Sequence, residues 1–350
     1  KPPTSSNNTI NATEDKAYTF SVNDFPFSDA DAGDELFVVK LNQLASKGTL
    51  FFDANNNNAP DNNELMANGW EVFAEDFAQL KYVAPQNENG DSYATFQFQV
   101  SDGKNYDNDQ YTMTIDVAEV NDAPSFSLNQ ASLETIEDVG QVEIADWVEN
   151  ISAGASNESG QSLTFNVDVL QKDGTLIFEN APAIDENGKL SFQTSKNAYG
   201  NATVQVTLED NGPDSGENEN TSASQSFEIK VAPSIDGKPK AQGTETKVNE
   251  AAEGITILPS EADANSIPYF QITNIQNGSL SLKNGTELTN GYFITAEQGA
   301  QGLVFTPLQN SLVTGSFDVQ AALDNNADAL GGEVARVNIS VQKGQATFEL

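Results

Sequence analysis

The 350-residue sequence contains no cysteine and no histidine. Without thiols there are no disulfides to staple a small fold and no thiolate metal sites, although secretion is not excluded. Without imidazole the usual general base and the usual transition-metal ligand are missing. A resident metal must therefore be held by oxygen, which points to calcium or magnesium. Basic residues are scarce too: 16 Lys and Arg stand against 52 Asp and Glu, a formal charge of −36. That field repels nucleic acid and anionic membranes, whose affinity for proteins comes from Lys and Arg, and makes cations the natural partners. No apolar run approaches the roughly 18 residues of a membrane span, so no membrane insertion is expected of this segment, and no charged-then-apolar leader opens it. The opening Lys1-Pro2-Pro3-Thr4-Ser5-Ser6-Asn7-Asn8 reads as an extended linker, which suggests a segment of something longer. Apolar content, at 37%, is low but sufficient for small sandwich cores, which need one inward face per strand.

What is present is a repeat. A Gly-[Thr/Ser]-Leu strand start occurs at Gly48-Thr49-Leu50, Gly174-Thr175-Leu176 and Gly278-Ser279-Leu280, spaced 126 and 104 residues apart. Each is followed by a short apolar strand and then a strictly alternating one. Leu80-Lys81-Tyr82 leads to Phe96–Val100, Leu190-Ser191-Phe192 to Val204–Leu208, and Leu303-Val304-Phe305 to Phe317–Ala321, at offsets of 16, 14 and 14 residues. Self-similarity of this kind outranks any single motif, and the period matches an immunoglobulin-like sandwich of about 100 residues. Further alternating strands are expected at Tyr18–Val22, Leu36–Val39 and Tyr111–Val117, with counterparts in the other two copies. Helical periodicity is nearly absent; Glu75–Leu80 and Asp146–Asn150 each suit a single helical turn. The expected fold is all-β, three tandem Ig-like Greek-key sandwiches arranged end to end, with modules at residues 1–121, 122–233 and 234–350. The boundaries fall in short polar, Pro-bearing stretches, Val117–Pro124 and Ile229–Asp236. Flexible tethers would be longer and Gly/Ser-rich, so neighbouring modules should abut.

The linker Asn121-Asp122-Ala123-Pro124 resembles the Asp/Asn-rich junction of cadherin-like repeats. Thr13-Glu14-Asp15, Asp29-Ala30-Asp31-Ala32-Gly33-Asp34 and Ser101-Asp102-Gly103 flank it in the order usual for them. In chain order the set is similar to the bacterial cadherin-like and dystroglycan-type repeats of large surface adhesins and polysaccharide-handling proteins. The resemblance covers module one and runs into module two, and is weaker in module three. It implies a cadherin-like fold, calcium at module junctions and an extracellular, cell-surface location.

The strand order supports the same placement of acids. In a seven-stranded up-and-down sandwich, alternate loops gather at opposite ends. Module one's N-terminal end then carries Asp29, Asp31 and Asp102, and its C-terminal end carries Glu14 and Asp91 beside Asn121 and Asp122. Module two adds Asn157, Glu158 and Asp210 from the facing side. Two unit charges about 4 Å apart repel by roughly 4 kcal/mol at an effective dielectric of 20, and calcium, which takes six to eight oxygens, would relieve that. The plain alternative is a set of solvated turns, since Asp and Asn favour turns anyway. At the second junction Glu137, Asp236, Asp263 and Asp324 are available, but Lys196-Asn197-Ala198-Tyr199-Gly200 has no carboxylate where module one has Asp91.

Asp53-Ala54-Asn55-Asn56-Asn57-Asn58-Ala59-Pro60-Asp61-Asn62-Asn63-Glu64 matches a twelve-residue calcium loop at Asp53, Asn55, Asn57, Asp61 and Glu64, with Asn58 where Gly is usual. A hydrophilic Asn-rich insertion is the bland reading. Three functions remain in view. The first is a calcium-rigidified repeat segment of a bacterial surface adhesin, a spacer that also serves cell–cell or cell–matrix adhesion through another adhesin copy or surface polysaccharide. The second is a carbohydrate-binding module, for which Trp70, Tyr106 and Tyr199 are the available aromatics and Trp147 reads as core. The third, an enzyme, is disfavoured because the acids fall in turns at module ends instead of a cleft.

Overall fold

The alternation read from the sequence becomes pleated strands with one buried face. In the strand Gly90–Ser101, Phe96, Phe98 and Val100 are buried and Gln97 is exposed, the period-2 signature of a strand lying on a core. The computed structural model describes residues 1–344, and the architecture is all-β, in three tandem sandwich modules of Greek-key type.

In module one, one sheet runs in the order Asn8–Thr13, Tyr111–Ala118, Gly90–Ser101, Val38–Gln43, Trp70–Phe73, and it faces a second sheet of Tyr18–Thr19, Leu80–Val83 and Thr49–Phe52. In module two, Ser132–Ile136, Gln225–Ala232, Gly200–Asp210 and Leu163–Lys172 form one sheet, and Gln141–Ile144, Leu190–Thr194 and Phe178–Ile184 another. Module three repeats the scheme with Thr244–Lys247, Leu330–Gln342, Gly315–Ala322, Tyr269–Gln276 and Tyr292–Thr295, opposite Ala252–Ile255, Leu303–Pro307, Gly278–Leu282 and Glu287–Leu288.

One feature recurs in all three: an early strand pairs in parallel with the module's last strand. Asn8–Thr13 runs along Met113–Ala118, Ser132–Ile136 along Glu228–Ala232, and Thr244–Lys247 along Ile339–Gln342. The chain is thereby stitched across each module, bringing the residue after the first strand beside the module's exit.

The glycine that opens each repeat motif has a steric reason. A Cβ at Gly48 (φ +70°) would lie 2.6 Å from the carbonyl oxygen of Val83, and one at Gly174 (φ +62°) 2.7 Å from that of Tyr199. Module one is filled by aromatic rings, with Phe25 in contact with Phe20, Phe77 and Phe98 at centroid distances of 5.7, 5.2 and 5.1 Å. Such edge and tilted contacts suit the ring quadrupole. Module three has its own core, including Phe270, Leu280, Phe305, Phe317 and Val337. Trp147 is fully buried with its ring 5.0 Å from Phe227, a core residue as expected.

By compactness the chain divides into two units. One comprises 1–127, 148–166 and 207–224, and the other 128–147, 167–206 and 225–350, so that module two is shared between them. The segment Asp146–Asn150, read as a helical turn, is instead mostly strand: Val148–Ser152 pairs with Ser125–Leu128. The other expected turn is there, a 3-10 helix at Ala74–Gln79. A short helix at Ala296–Gln301 was not foreseen from periodicity.

Candidate cation sites at the module ends

At the first junction, Glu14 follows the strand Asn8–Thr13 and is almost wholly buried, 1% exposed. Its Oε1 accepts from the Val120 backbone N–H at 2.7 Å, and its Oε2 from the Asn89 side-chain amide at 3.1 Å. Asn121 is the hub. Its Nδ2 donates to Asp210 Oδ1 at 3.1 Å and to the Glu219 carbonyl at 2.8 Å, while its Oδ1 accepts from Gln161 Nε2 at 2.6 Å. The Asp122 backbone N–H donates to Glu158 Oε1 at 2.9 Å. Glu158 and Asp210 are buried with Glu14 and Asn121. Thus three stretches outside the linker, at Glu14, residues 158–161 and residues 210–219, are hydrogen-bonded to linker residues 120–122.

No ion pair among the described residues includes Glu14, Asp122, Glu158 or Asp210. The nearby cation, Lys16, pairs with exposed Glu217 at 2.6 Å. The electrostatic consequence falls on Asp122. Burial pushes its carboxyl above the usual range, and the charges of Glu158, Asp15, Glu14 and Glu219 push it in the same direction.

The second junction uses the same backbone frame. Glu137 Oε1 accepts from the Ser234 N–H at 2.7 Å, and the Asp236 N–H donates to Asp263 Oδ1 at 2.9 Å. Both Asp263 oxygens are engaged, since Oδ2 accepts from the Gly237 N–H at 3.0 Å and from Ser260 Oγ at 2.6 Å. Glu137 Oε2 is buried without a partner. Burial raises the Glu137 carboxyl, with Asp236, Asp138 and Asp263 adding to the shift.

Asp29, Asp34 and Asp102 gather at module one's N-terminal end, with a carboxylate oxygen from each within 4.8 Å of the others. Asp29 Oδ2 and Asp102 Oδ2 are buried and unpartnered, oxygens of the kind a hard cation takes. The other Asp102 oxygen accepts from the backbone N–H groups of Asn105 and Lys104 at 2.6 and 2.7 Å, and these bonds, Asn105's first, hold the carboxyl below its usual range. Lys104 Nζ lies 2.7 Å from Asp34, so one cation is already supplied.

The Asn-rich loop draws its five expected residues into one network. Asp53 accepts from the N–H groups of Asn57 and Asn58, Asn55 and Asn57 donate their amides to Asp61, and Glu64 accepts from the N–H groups of Ala54, Asn55 and Asp61. Asn56 and Asn58 take positive φ, as a calcium-type loop requires of its tightest turn. The loop also holds an ammonium: Lys81 Nζ is 2.7 Å from Asp53 Oδ2 and donates to Asn58 Oδ1. That contact, then burial working against it, leaves the Asp53 carboxyl below its usual range.

Three expected ligands lie elsewhere. Asp91 is exposed near the start of Gly90–Ser101, and the residue that reaches Glu14 is Asn89, closer to the turn. Asp31 is exposed and outside the cluster, in which Asp34 joins Asp29 and Asp102. Asp324 is tied into its own loop by Asn325 and Asn326, and the position matching Asp102 and Asp210 is Leu323. The repeat offset carried that signal, since Leu323 stands six residues after Phe317 as Asp210 does after Val204. Asn89, Gln161 and Glu219 gave no signal, being contacts that only the folded chain creates.

No protein-family model and no curated protein matches the chain. Among solved structures, mouse cadherin-23 EC22-24 is 16% identical, covering 98% of this chain and 99% of that one at a TM-score of 0.46. Human CDH23 EC21-23 is 12% identical over 97% of this chain and 100% of that one, TM-score 0.43. Protocadherin Gamma B2 extracellular cadherin domains 3-6 is 12% identical over 98% of this chain and 73% of that one, TM-score 0.46. At such values the likeness adds nothing to what strand order and hydrogen bonding show directly.

Proposed function

We propose that this chain is a non-catalytic, calcium-stiffened repeat segment of an extracellular surface protein, a spacer of adhesion type in a bacterial adhesin. The carrying observation is the first junction: buried Glu14, Asp210 and Glu158 are each hydrogen-bonded to linker residues 120–122, and neither they nor half-buried Asp122 has a basic partner among the described residues. Glu14, Asp122, Glu158 and Asp210, with Asn121, would hold the ion, which supplies the positive charge that these side chains lack. The residues themselves do the mechanical part. Glu14 belongs to module one and Glu158 and Asp210 to module two, so a shared ion ties the two modules through Asn121 and Asp122. Asp29, Asp34 and Asp102 form a second acidic set, and the Asn-rich loop a third whose cation must displace Lys81. At the second junction Glu137 and Asp236 keep the same backbone frame, but Ile235 and Leu323 stand where the first has Asn121 and Asp210. The module limits 1–121, 122–233 and 234–350 belong to the same proposal.

No helix among the described residues is long and apolar enough to cross a membrane. A carbohydrate-binding reading has one observation in its favour: Trp70 and Phe73 stay exposed on the edge strand Trp70–Phe73, with Phe37 against Phe73 at 5.7 Å. Small-angle scattering of the whole chain with calcium in the millimolar range, then with chelator, tests the spacer reading. Loss of calcium should change the maximum dimension and broaden the distance distribution. Identical curves under both conditions overturn it.

A further inference from the structure

The two junctions share a frame, residue for residue. The N–H of Glu14 donates to Ala118 and that of Glu137 to Ala232, both at 3.0 Å. Asp15 and Asp138, both at positive φ, accept from the N–H groups of Asn87 and Asn197. Val120 and Ser234 donate to the two glutamates, and Asp122 and Asp236 to Glu158 and Asp263. The residue between each pair of linker donors is Asn121 in the first junction and Ile235 in the second. The strand ends correspond as well: the N–H of Asp210 donates to Asn220 and that of Leu323 to Ala329, both at 3.0 Å.

On this frame, two facing positions change chemistry together. Asn121 and Asp210 are hydrogen-bonded at the first junction. Their counterparts Ile235 and Leu323 are both partly buried against the apolar core of module three. A third position follows them. Asn89, which donates to Glu14, is replaced by Tyr199, whose hydroxyl donates to the Asn265 carbonyl at 2.6 Å. An ion needs oxygen ligands, and two of those the first junction offers are hydrocarbon here.

We infer that the second junction is an ion-independent joint, sealed by Ile235, Leu323 and Tyr199, and that calcium dependence is confined to the first. This rests on the calcium reading of the first junction. The chain therefore carries one joint that calcium sets and one that stays closed without it. Ile235 and Leu323 decide that difference.

The absence of cysteine makes spin labelling unambiguous. One labelled pair, Gln97→Cys with Ser226→Cys, spans the first junction, and another, Ser226→Cys with Asn338→Cys, spans the second; all three positions are exposed. Electron–electron distances are measured in the full chain with calcium and with chelator. Chelation should broaden the first distribution and leave the second unchanged. Equal broadening of both overturns the inference while leaving the calcium reading of the first junction intact. No response from either pair removes the calcium reading itself. The double variant Ile235→Asn/Leu323→Asp should transfer calcium dependence to the second pair. The reverse exchange, Asn121→Ile/Asp210→Leu, should abolish it at the first, and covers the case in which the former variant fails to fold. A first pair still calcium-sensitive after that exchange also overturns the assignment of these positions.

Discussion

Where the first junction places an amide against a carboxylate, the second has isoleucine and leucine, each packed against the core of module three, on the same main-chain scaffold. The comparison separates two properties that are easily merged. The direction of the linker is set by backbone N–H groups bonded to Glu14 and Glu158 in one case, and to Glu137 and Asp263 in the other. The strength of the joint, and what it responds to, is set by the side chains filling the space between. A charged filling binds solvent and ions and is screened by salt. An apolar filling draws on area removed from water, about 25 cal/mol per Å², and needs no ligand.

Four experiments would break or sharpen this contrast. The largest expected effect is calcium removal. At a hundredfold excess over its dissociation constant a ligand of the native state contributes about 2.7 kcal/mol, so chelation should lower the Tm by roughly 5–10 °C in a differential scan. The same loss should be seen in Ile235→Ala, because that residue acts at the other joint. Next come the two hub residues themselves. Asn121→Ala removes the side-chain donor to buried Asp210, which keeps the Gly212 N–H, and leaves the Gln161 amide without its acceptor; it should cost about 1–3 kcal/mol by denaturant unfolding. Ile235→Ala, at a half-buried site, should cost about 1–2 kcal/mol. Only the first of these two losses should shrink when calcium is removed.

The third is pH. Asp122 and Glu137 have carboxyls raised by burial and by like charges, so the folded chain holds their protons more tightly than the unfolded chain does. Their ionisation therefore opposes folding, and in chelator the Tm should rise as the pH falls from neutral into the mildly acid range. Asp53 and Asp102 are lowered, so their contribution is lost further down, as the pH falls below the ordinary carboxylate value of 3.8. With calcium present the part of the rise due to Asp122 should reverse, because protons then compete with the ion, while the part due to Glu137 should persist. Asp122→Asn should diminish the rise seen in chelator; a rise of undiminished size would place the repulsion elsewhere. The smallest effect is Tyr199→Phe, which deletes one hydrogen bond to Asn265 and should cost about 0.5–1.5 kcal/mol, equal with and without calcium.

Much of the fold was legible because the alternating strands sit on cores. Phe96, Phe98, Val204, Val206, Phe317 and Val319 are all buried, as their period-2 spacing requires. The strands that escaped notice are polar edges. Asn8–Thr13 buries little beyond Ile10 and Ala12, and its partner lies about a hundred residues away in sequence. The helix Ala296–Gln301 announces itself only by a capping pair, Thr295 and Gln298, not by an apolar stripe. Among the site residues, Glu14, Asp29, Asp102, Asn121 and Asp122 are legible in the sequence because short turn motifs carry them. Asn89 and Gln161 are not, since each matters through a partner supplied by another loop, and the motif that contains both Asp31 and Asp34 does not say which of them joins Asp29 and Asp102.

The sequence by itself determined the repeat, the all-β architecture, the surplus of negative charge and the lack of any soft metal ligand, all of which follow from local pattern and composition. Only the tertiary structure decided which acids meet, and that Ile235 and Leu323 are packed on the core of module three where the first joint holds hydrogen-bonded Asn121 and Asp210. The reason is physical. Alternation is imposed by the pleat of one strand on itself, whereas a junction is assembled from loops separated by up to about a hundred residues, and a one-residue difference, Leu323 for Asp324, reverses its chemistry.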